Sequence, residues 1–278
     1  MVVFPHAKIN LGLNILRRRA DGYHDIDSVM VPVDWCDILE IVPAKDNARP
    51  QFVCRGKEEL DCPDKDNLVI RAYNAVKSLK PQVPAVDIYL HKNIPSEAGL
   101  GGGSADAAYA IHALNGLFSL GLGKPDMAAI AGGIGADCPF FIYDSPMSVS
   151  GIGTTLQPTD IPALRGMDIV VCRPDNCHVS TAQAYAGVTP DAGAVSVEAI
   201  TRLPISRWRE ELCNMFEKTV FELFPAIAQL KEYFYNSGAV YAAMSGSGAA
   251  VFAIFDGHDK AQQSFDTLQY RFKYIGKL

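Results

Sequence analysis

The clearest pattern of hydrophobic and polar positions runs from His6 to Ile15, where every second residue is apolar. The apolar positions are Ala7, Ile9, Leu11, Leu13 and Ile15, and the alternate positions are His6, Lys8, Asn10, Gly12 and Asn14. A period of two is that of a β-strand with one buried face. The pattern therefore predicts a half-buried strand. Its polar face either meets solvent or presents Lys8 and Asn10, roughly 7 Å apart along the strand, to a ligand.

A basic turn follows this strand. Arg17, Arg18 and Arg19 precede Asp21-Gly22, and a second apolar run continues from Tyr23 and His24 through Val33. The turn residues between two apolar runs predict a hairpin. Further short strands are predicted over 37–42, 51–54 and 85–91.

Helices are predicted in the first half where a capping residue, alanines or a proline opens a helical pattern. They run from the cap Asn67 to Leu79, over 104–117, and from Pro125 to Gly132-Gly133. Residues 135–139 then form a tight connection into the apolar run 140–143. The breaker residues 144–146 predict a domain boundary, with an N-terminal domain over 1–146 and a C-terminal domain over 147–278.

The second half mixes strands and helices. Strands are predicted near 147–150 and 168–172, helices near 180–186, 206–217 and 225–236, and strands over 239–244 and 249–255. The order lacks the regular βαβ alternation of a doubly wound sheet, and it predicts an α+β fold with two domains.

The stretch 94–108, IPSEAGLGGGSADAA, is the main candidate for chemistry. Its glycines allow close approach of the main chain, and a helix start that follows them offers unpaired N–H groups to an anion, usually phosphate. The alternative is a plain glycine-rich turn capped by Ser104. Of two common phosphate motifs, the first fails and the second fits poorly. A Walker A loop needs a Lys after its last glycine, and the dinucleotide fingerprint needs a glycine where Ser104 stands.

Composition narrows the possible classes of protein further. The chain has 278 residues, 49% hydrophobic content and a formal net charge of -6, which is typical of a globular protein without general attraction to nucleic acid. The seven cysteines include no C-x-x-C pair, and the six histidines lack zinc spacing. No apolar run approaches the ~20 residues of a membrane span. We expect a cytoplasmic protein with neither a nucleic-acid nor a membrane partner, as a monomer or a weak homodimer.

Three separated segments now resemble a known superfamily. They are the strand with Lys8 and Asn10, the loop PSEAGLGGGSADAA and the late segment MSGSGAAVFAIF. Together they are similar to the three motifs of the kinases named for galactokinase, homoserine kinase, mevalonate kinase and phosphomevalonate kinase, the GHMP kinases. AKINLGLNILRRRADGYHDIDSV and GADCPFF narrow the resemblance to the members that phosphorylate a cytidine-diphosphate-linked methylerythritol in the non-mevalonate isoprenoid pathway.

The resemblance implies an α+β, two-domain GHMP-kinase-like architecture with the active site in the cleft between the domains. It implies ATP as phosphoryl donor, Mg²⁺ as its metal and a small-molecule acceptor. Asp137 matches the catalytic base and Lys8 the lysine that pairs with it; by itself, Asp137 beside Pro139 is also typical of a turn cap. The residues that match the ATP loop are Pro95, Ser96, Glu97, Ala98, Gly99, Leu100, Gly101, Gly102, Gly103, Ser104 and Ala105.

Substrate residues also follow from the resemblance. Asn10 matches a residue near the polyol and phosphates, Tyr23 and Tyr185 match the two rings that stack on cytosine, and His24 matches the reader of its edge. Thr181 lies four residues before Tyr185, on the same side of a helix. The third motif consists of Ser245, Gly246, Ser247 and Gly248, a turn that packs against the phosphate loop. The segment 173–178 lacks the glycine of the family pattern.

Two points stay open at this level. Glu97 stands where relatives are richer in glycine, and it points either to solvent or to the metal, for which Ser104 is the candidate ligand. The rival functions are a homoserine or mevalonate kinase on the same scaffold and a silent nucleotide-binding regulator. The Gly22-Tyr23-His24 triplet disfavours the first rival, since those substrates carry no base. The presence of both Lys8 and Asp137 disfavours the second.

Overall fold

The computed structural model describes residues 1–45, 51–57 and 66–278, so Cys62 lies outside the described residues. The chain forms two compact units, each discontinuous in sequence. Unit 1 comprises Met1–Ala7, Trp35–Ser96 and Gly101–Ser145, and unit 2 comprises Lys8–Asp34, Glu97–Leu100 and Pro146–Leu278. The predicted domain boundary between residues 146 and 147 stays a prediction.

The described strands are β1 (Val2–Val3), β2 (His6–Arg18), β3 (His24–Cys36), β4 (Ile38–Pro43), β5 (Phe52–Gly56), β6 (Val86–Lys92), β7 (Met147–Gly151), β8 (Thr155–Pro158), β9 (Asp168–Arg173), β10 (Tyr241–Met244), β11 (Val251–Phe255) and β12 (Phe272–Lys277). The described helices are α1 (Leu68–Leu79), α2 (Gly102–Leu117), α3 (Lys124–Gly132), α4 (Cys138–Tyr143), α5 (Thr181–Ala186), α6 (Val197–Thr201), α7 (Trp208–Glu211), α8 (Glu217–Leu223), α9 (Pro225–Asn236) and α10 (His258–Thr267). This mixture confirms the predicted α+β class.

Unit 1 contains a sheet in the order β1-β4-β6-β5, in which only the β5–β6 pair is parallel among the pairs described. Leu39 and Ile41 of β4 face Leu90 and Ile88 of β6, and all four are buried. Helices α1 and α4 pack on α2. The predicted helix from Asn67 is confirmed, because the Asn67 side chain accepts a hydrogen bond from Val69 N at 2.9 Å.

Helix α2 begins two residues earlier than predicted. Its N-cap is Gly101, with φ 70 in the left-handed region, and Ser104 lies in the first turn. The prediction that Ser104 caps this helix is therefore wrong. The reason is conformational, because only glycine adopts this φ freely and Gly101 is the residue that supplies it.

Unit 2 contains two antiparallel sheets. One has the order β10-β11-β9-β12, with α9 against β10 and β11 and with α10 against β9 and β12. The other has the order β2-β3-β7-β8. The first two residues of β2, His6 and Ala7, count with unit 1.

The expectation that β2 is half-buried is wrong, because every residue from His6 to Ile15 is buried. Lys8 is 3% exposed and Asn10 is 1% exposed. The polar face is covered by other segments of unit 2: Asn14 Nδ2 donates to Val195 O at 3.0 Å, and Asn10 N donates to Ser245 Oγ at 3.3 Å. Polar side chains buried as deeply as these must be hydrogen-bonded. This face is therefore not a solvated surface, and its fixed polar groups are a candidate site.

The helix predicted over 206–217 is also wrong as one element. Helix α7 ends at Glu211, and α8 begins only at Glu217. Between them the chain pairs with β2: Leu13 N donates to Cys213 O and Met215 N donates to Leu13 O, both at 2.9 Å. These backbone bonds to a distant strand replace the bonds that a continuous helix would make.

The sequence patterns missed several C-terminal elements, among them α10 and β12. Helix α10 is mainly polar and buries only Ala261 and Ser264 among its described residues. Strand β12 alternates weakly, and its position is fixed by pairing with β9, from Phe272 opposite Arg173 to Lys277 opposite Asp168. Such segments depend on the surface they join more than on their own periodicity.

Candidate functional site

The start of α2 has the properties of an anion site. Its N-cap, Gly101, supplies no side-chain hydrogen bond, and the first turn contains no acidic residue. The amides of Gly102, Gly103 and Ser104 therefore begin a helix of 16 residues without a side-chain cap. Unpaired N–H groups and the positive end of the helix dipole attract phosphate at such a place.

The glycines of the loop differ in their surroundings. A Cβ built on Gly99, which has φ 73, would lie 1.9 Å from Ser245 O, so this glycine permits close backbone packing within unit 2. A Cβ on Gly102 would lie 3.0 Å from Ile94 Cγ2. At Gly103, which is exposed, a Cβ would meet only Leu68 Cδ1, at 3.7 Å. Gly103 is therefore the position where a side chain would enter open space beside the helix start.

A buried charge cluster lies under this helix start, in unit 1. Lys92 Nζ donates to Asp37 Oδ2 and, at 2.8 Å, to Asp106 Oδ2, and it would lie 3.2 Å from a Cβ on Gly102. Burial raises the pKa of the Asp106 carboxyl to about 7, and the nearby Asp37 adds to the rise while Lys92 opposes it. Burial alone would lower the pKa of Lys92, but the two carboxylates outweigh it and raise that pKa.

Two further residues anchor the cluster to the loop. Asp37 Oδ1 accepts from Asn93 N at 2.6 Å and from Ile94 N at 2.9 Å, directly before the glycines. The sequence analysis missed Asp37, Lys92 and Asp106, because no local spacing links residues so far apart. Their only sequence signal is a charge inside an apolar run.

Asp137 occupies the N-cap position of α4, with φ -82 and ψ -15, but its carboxylate makes no capping hydrogen bond. The side chain is half-buried. Asp137 therefore occupies the capping position but does not cap the helix with its side chain. Beside it, Cys138 hydrogen-bonds with the Ser104 side chain, and burial raises the pKa of the Cys138 thiol to about 11.

In unit 2, Lys8 is held by fixed acceptors. Its ammonium group donates to Asn10 Oδ1 and, at 2.8 Å, to Gly99 O. The Asn10 amide in turn donates to Ser28 Oγ at 2.9 Å, and Ser28 Oγ donates to Gly12 O at 2.7 Å. The geometry therefore brings Lys8, Asn10 and Gly99 together within unit 2. Ser28 was not predicted, and it completes the chain of bonds that orients the lysine.

The third motif packs against the same part of the loop. Ser245 Oγ donates to Gly99 O at 2.8 Å, and Ala250 N donates to Ala98 O at 3.1 Å. A Cβ on Gly246, where φ is 53, would lie 3.3 Å from both Asn10 Oδ1 and Gly99 Cα. The turn between β10 and β11 thus supports the residues that hold Lys8.

Of the three residues predicted to bind the base, two form a stacked pair and the third is exposed. The His24 ring stacks on Tyr185, with centroids 4.6 Å apart and an interplanar angle of 22°, and Phe216 meets Tyr185 edge-on at 4.7 Å. Tyr23 is 62% exposed. At 4.6 Å no base fits between His24 and Tyr185, so a base that stacks on this face of Tyr185 must first displace His24.

The remaining predicted residues lie at the edges. Thr181 is the exposed first residue of α5, whose cap is Ser180. Glu97 is exposed, with φ 49. Among the described residues, no group of three or more His, Cys, Asp or Glu side chains could hold a metal ion. Within residues 1–45, 51–57 and 66–278, no helix combines the length and the apolar character that crossing a membrane requires.

Comparison with known proteins agrees with these features. The family model for the GHMP kinases N terminal domain matches residues 67–145, and the model for GHMP kinases C terminal matches residues 196–273. A 4-diphosphocytidyl-2-C-methyl-D-erythritol kinase from Parabacteroides distasonis is 45% identical over 95% of this chain and 96% of its own length.

Solved structures give the same result. A crystal structure of 4-(cytidine 5'-diphospho)-2C-methyl-D-erythritol kinase superposes with a TM-score of 0.80, at 30% identity over 99% of this chain and 98% of the other. Homoserine kinase from Cytophaga hutchinsonii covers 99% of this chain and 95% of its own with a TM-score of 0.70, but at 16% identity it shares only the fold. The resemblance inferred from the motifs is confirmed: this chain is a GHMP kinase and belongs to the family of 4-diphosphocytidyl-2-C-methyl-D-erythritol kinases.

Proposed function

We propose that the chain transfers the γ-phosphoryl group of ATP to the 2-hydroxyl group of 4-diphosphocytidyl-2-C-methyl-D-erythritol. The observation that carries this proposal is the likeness to the kinase from Parabacteroides distasonis over nearly the whole of both chains. In the reaction, the acceptor oxygen attacks the γ-phosphorus while the bond to the β–γ bridging oxygen breaks. The acceptor proton goes to a base, and ADP leaves.

The phosphates of ATP bind at the start of α2. Backbone amides from Gly101 to Ser104 donate to phosphate oxygens, Ala105 N donates to Gly101 O within the helix, and residues from Pro95 to Leu100 shape the approach. The uncapped helix start and the open space at Gly103 support this assignment. Phosphoryl transfer needs mainly positioning and charge stabilisation, both of which a rigid helix N-terminus provides.

Asp137 acts as the base and Lys8 stabilises charge. Asp137 is half-buried and stands at the N-cap of α4 without making a side-chain capping bond, which supports its assignment as the base. Lys8 is oriented by Asn10 and Gly99 O before any substrate binds, so it loses little further freedom on binding. Because the Asn10 amide is engaged by Lys8 and Ser28, its first role is to orient that lysine.

Mg²⁺ accompanies ATP in this proposal, and the described residues fit an ion held mainly by phosphate oxygens and water. Ser104, in the first turn of α2, is the proposed protein ligand, and the exposed Glu97 lies at the other side of the glycines in sequence. When bound, such an ion would neutralise part of the phosphate charge. The protein then needs few ligands of its own.

Cytosine recognition distinguishes this function from its rivals. Tyr23 and Tyr185 stack on the base, and His24 reads its edge after leaving the Tyr185 face. Base–aromatic stacking contributes ~1–3 kcal/mol per base. Mevalonate and homoserine carry no base, so these aromatic residues would have no function with them.

The test is ADP formation by the purified chain with three acceptors: the cytidine-linked methylerythritol, mevalonate and homoserine. We expect turnover with the first alone, and ³¹P NMR of the product then locates the new phosphate on the 2-hydroxyl group. Turnover with mevalonate or homoserine instead would establish the rival kinase. ATP binding without turnover on any acceptor would establish a silent regulator.

A further inference from the structure

His6 and Asp144 form an ion pair inside unit 1. His6 is the first residue of β2 and only 5% exposed, and Asp144 directly follows α4. His6 Nε2 lies 2.5 Å from Asp144 Oδ1, and His6 Nδ1 lies 2.7 Å from Ala7 O. Neither residue was assigned a role in catalysis or binding by the sequence analysis.

The hydrogen-bond partners determine the protonation of this histidine. A backbone carbonyl oxygen only accepts, so Nδ1 must carry a proton. The hydrogen bond from His6 lowers the pKa of the Asp144 carboxyl, although burial opposes this, so Asp144 is ionised and Nε2 must donate as well. With both nitrogens protonated, His6 is a buried imidazolium.

Aromatic rings surround His6. The Tyr109 ring meets His6 edge-on with centroids 5.7 Å apart, and the Phe141 ring lies at 5.5 Å, tilted by 55°. These two rings pack against the imidazole and restrict its orientation. His112 and Lys124 also act on Asp144, and each favours its ionised form.

Asp144 itself holds an unusual backbone conformation. It is the C-cap of α4, with φ 56 and ψ 49, and its N–H donates to Phe140 O at 3.1 Å. Glycine is the usual residue in this left-handed position, and another residue there costs about 1 kcal/mol or more. The aspartate is therefore less favourable than glycine at the helix end, and its side chain hydrogen-bonds with His6.

The pair is coupled to the proposed base through one short helix. Asp137 is the N-cap of α4 and Asp144 is its C-cap. Seven residues of helix span about 10 Å, so anchoring one end of this rigid segment sets the position of the other.

We propose that the His6–Asp144 ion pair is a positioning pair that fixes α4 so that the Asp137 carboxylate is held in its reactive place. This inference rests on the proposed function. His6 and Asp144 do not touch the reacting atoms; they act through α4. A displacement of about 1 Å at a catalytic group can cost up to ~10²-fold in rate, so a small shift of α4 is enough to matter.

Three variants test the pair. Asp144→Asn keeps an acceptor oxygen and tolerance of the left-handed conformation but loses the charge. Asp144→Gly gives the helix its usual C-cap, and His6→Phe keeps a ring against Tyr109 and Phe141. The matched control is Asp256→Asn: Asp256 is 52% exposed and paired with Lys260 at 2.9 Å, whereas the Asp144 side chain is 53% exposed.

Two readouts are needed. ¹⁵N NMR of the His6 ring should report both nitrogens protonated at neutral pH in the wild type, and it requires no substrate. Steady-state kinetics on the cytidine-linked acceptor should show kcat falling about ten-fold in Asp144→Gly, with both KM values within about two-fold of wild type. The double variant His6→Phe/Asp144→Gly should fall no further than the single variants, because the pair acts as a unit. Asp256→Asn should match the wild type.

The inference is overturned by a neutral His6 ring in the wild type, by wild-type kcat in Asp144→Gly, or by a fall in kcat that only follows a fall in melting temperature. Failure of the proposed function gives a different result, since the wild type would then not phosphorylate the acceptor while the NMR signature of the imidazolium would persist.

Discussion

Replacement of Gly103 by alanine tests the phosphate site most directly, because it separates ligand binding from folding. Gly101 and Gly99 are unsuitable, since both have positive φ and any side chain there strains the backbone. Gly103 lies in the first turn of α2, and an added Cβ would meet only Leu68 Cδ1 at 3.7 Å, an ordinary contact. Alanine favours a helix over glycine by up to ~1 kcal/mol, so the fold should be retained or slightly stabilised.

The expected loss is in ATP binding. A phosphate oxygen that accepts from a backbone N–H lies about 2.9 Å from the nitrogen, and a new methyl group beside that nitrogen pushes it away. A hydrogen bond to a charged group contributes ~1.5–3 kcal/mol. At ~1.4 kcal/mol per tenfold, we expect the KM for ATP to rise roughly 10- to 150-fold in Gly103→Ala.

The assay is steady-state ADP formation at varied ATP, together with thermal unfolding of each variant without ligand. Gly132→Ala is the matched control, because Gly132 ends α3, is exposed, and its nearest neighbour to an added Cβ is Pro139 Cγ, also at 3.7 Å. An unchanged KM for ATP in Gly103→Ala, with an intact fold, would refute the argument that the phosphates lie over this helix start.

Three further predictions follow from other parts of the site. Asp137→Asn and Lys8→Ala should each lower kcat, by ~10²–10⁴-fold for the base, with little change in either KM; an Asp137→Asn enzyme within a few-fold of wild type would remove this residue from the mechanism. Tyr185→Ala should raise the KM for the cytidine substrate by one to two orders of magnitude, since stacking contributes ~1–3 kcal/mol, while the KM for ATP is unchanged; equal effects on both would indicate a structural role. Burial raises the pKa of Asp106 to about 7, above its unfolded value, so the folded state binds the extra proton and stability falls as pH rises from about 4 to about 7. Asp106→Asn should therefore raise the melting temperature at pH 8, by about 2–4 °C for each kcal/mol, and raise it less at pH 5, where only part of the loss has occurred; equal shifts at both pH values would contradict the assigned cause.

Local chemistry explains what the sequence predicted well. The cap at Asn67, Pro125 at the start of α3 and the turn residues between β10 and β11 act within a few residues of themselves, so their effect can be read without the rest of the chain. The glycine loop is similar. Its composition already indicates a close backbone approach, although the cap at Gly101 instead of Ser104 depends on which residue takes the left-handed conformation.

Tertiary structure decided the rest, because burial depends on which distant segments meet. The alternation in β2 predicts one polar face, but it cannot tell whether water or protein covers that face. Ser245, 235 residues after Asn10, covers it and makes Lys8 a buried, oriented ammonium. The break between α7 and α8 arises in the same way, from backbone bonds to Leu13. His6 and Asp144 stand 138 residues apart in the sequence. Only folding brings their side chains into one ion pair at the end of α4.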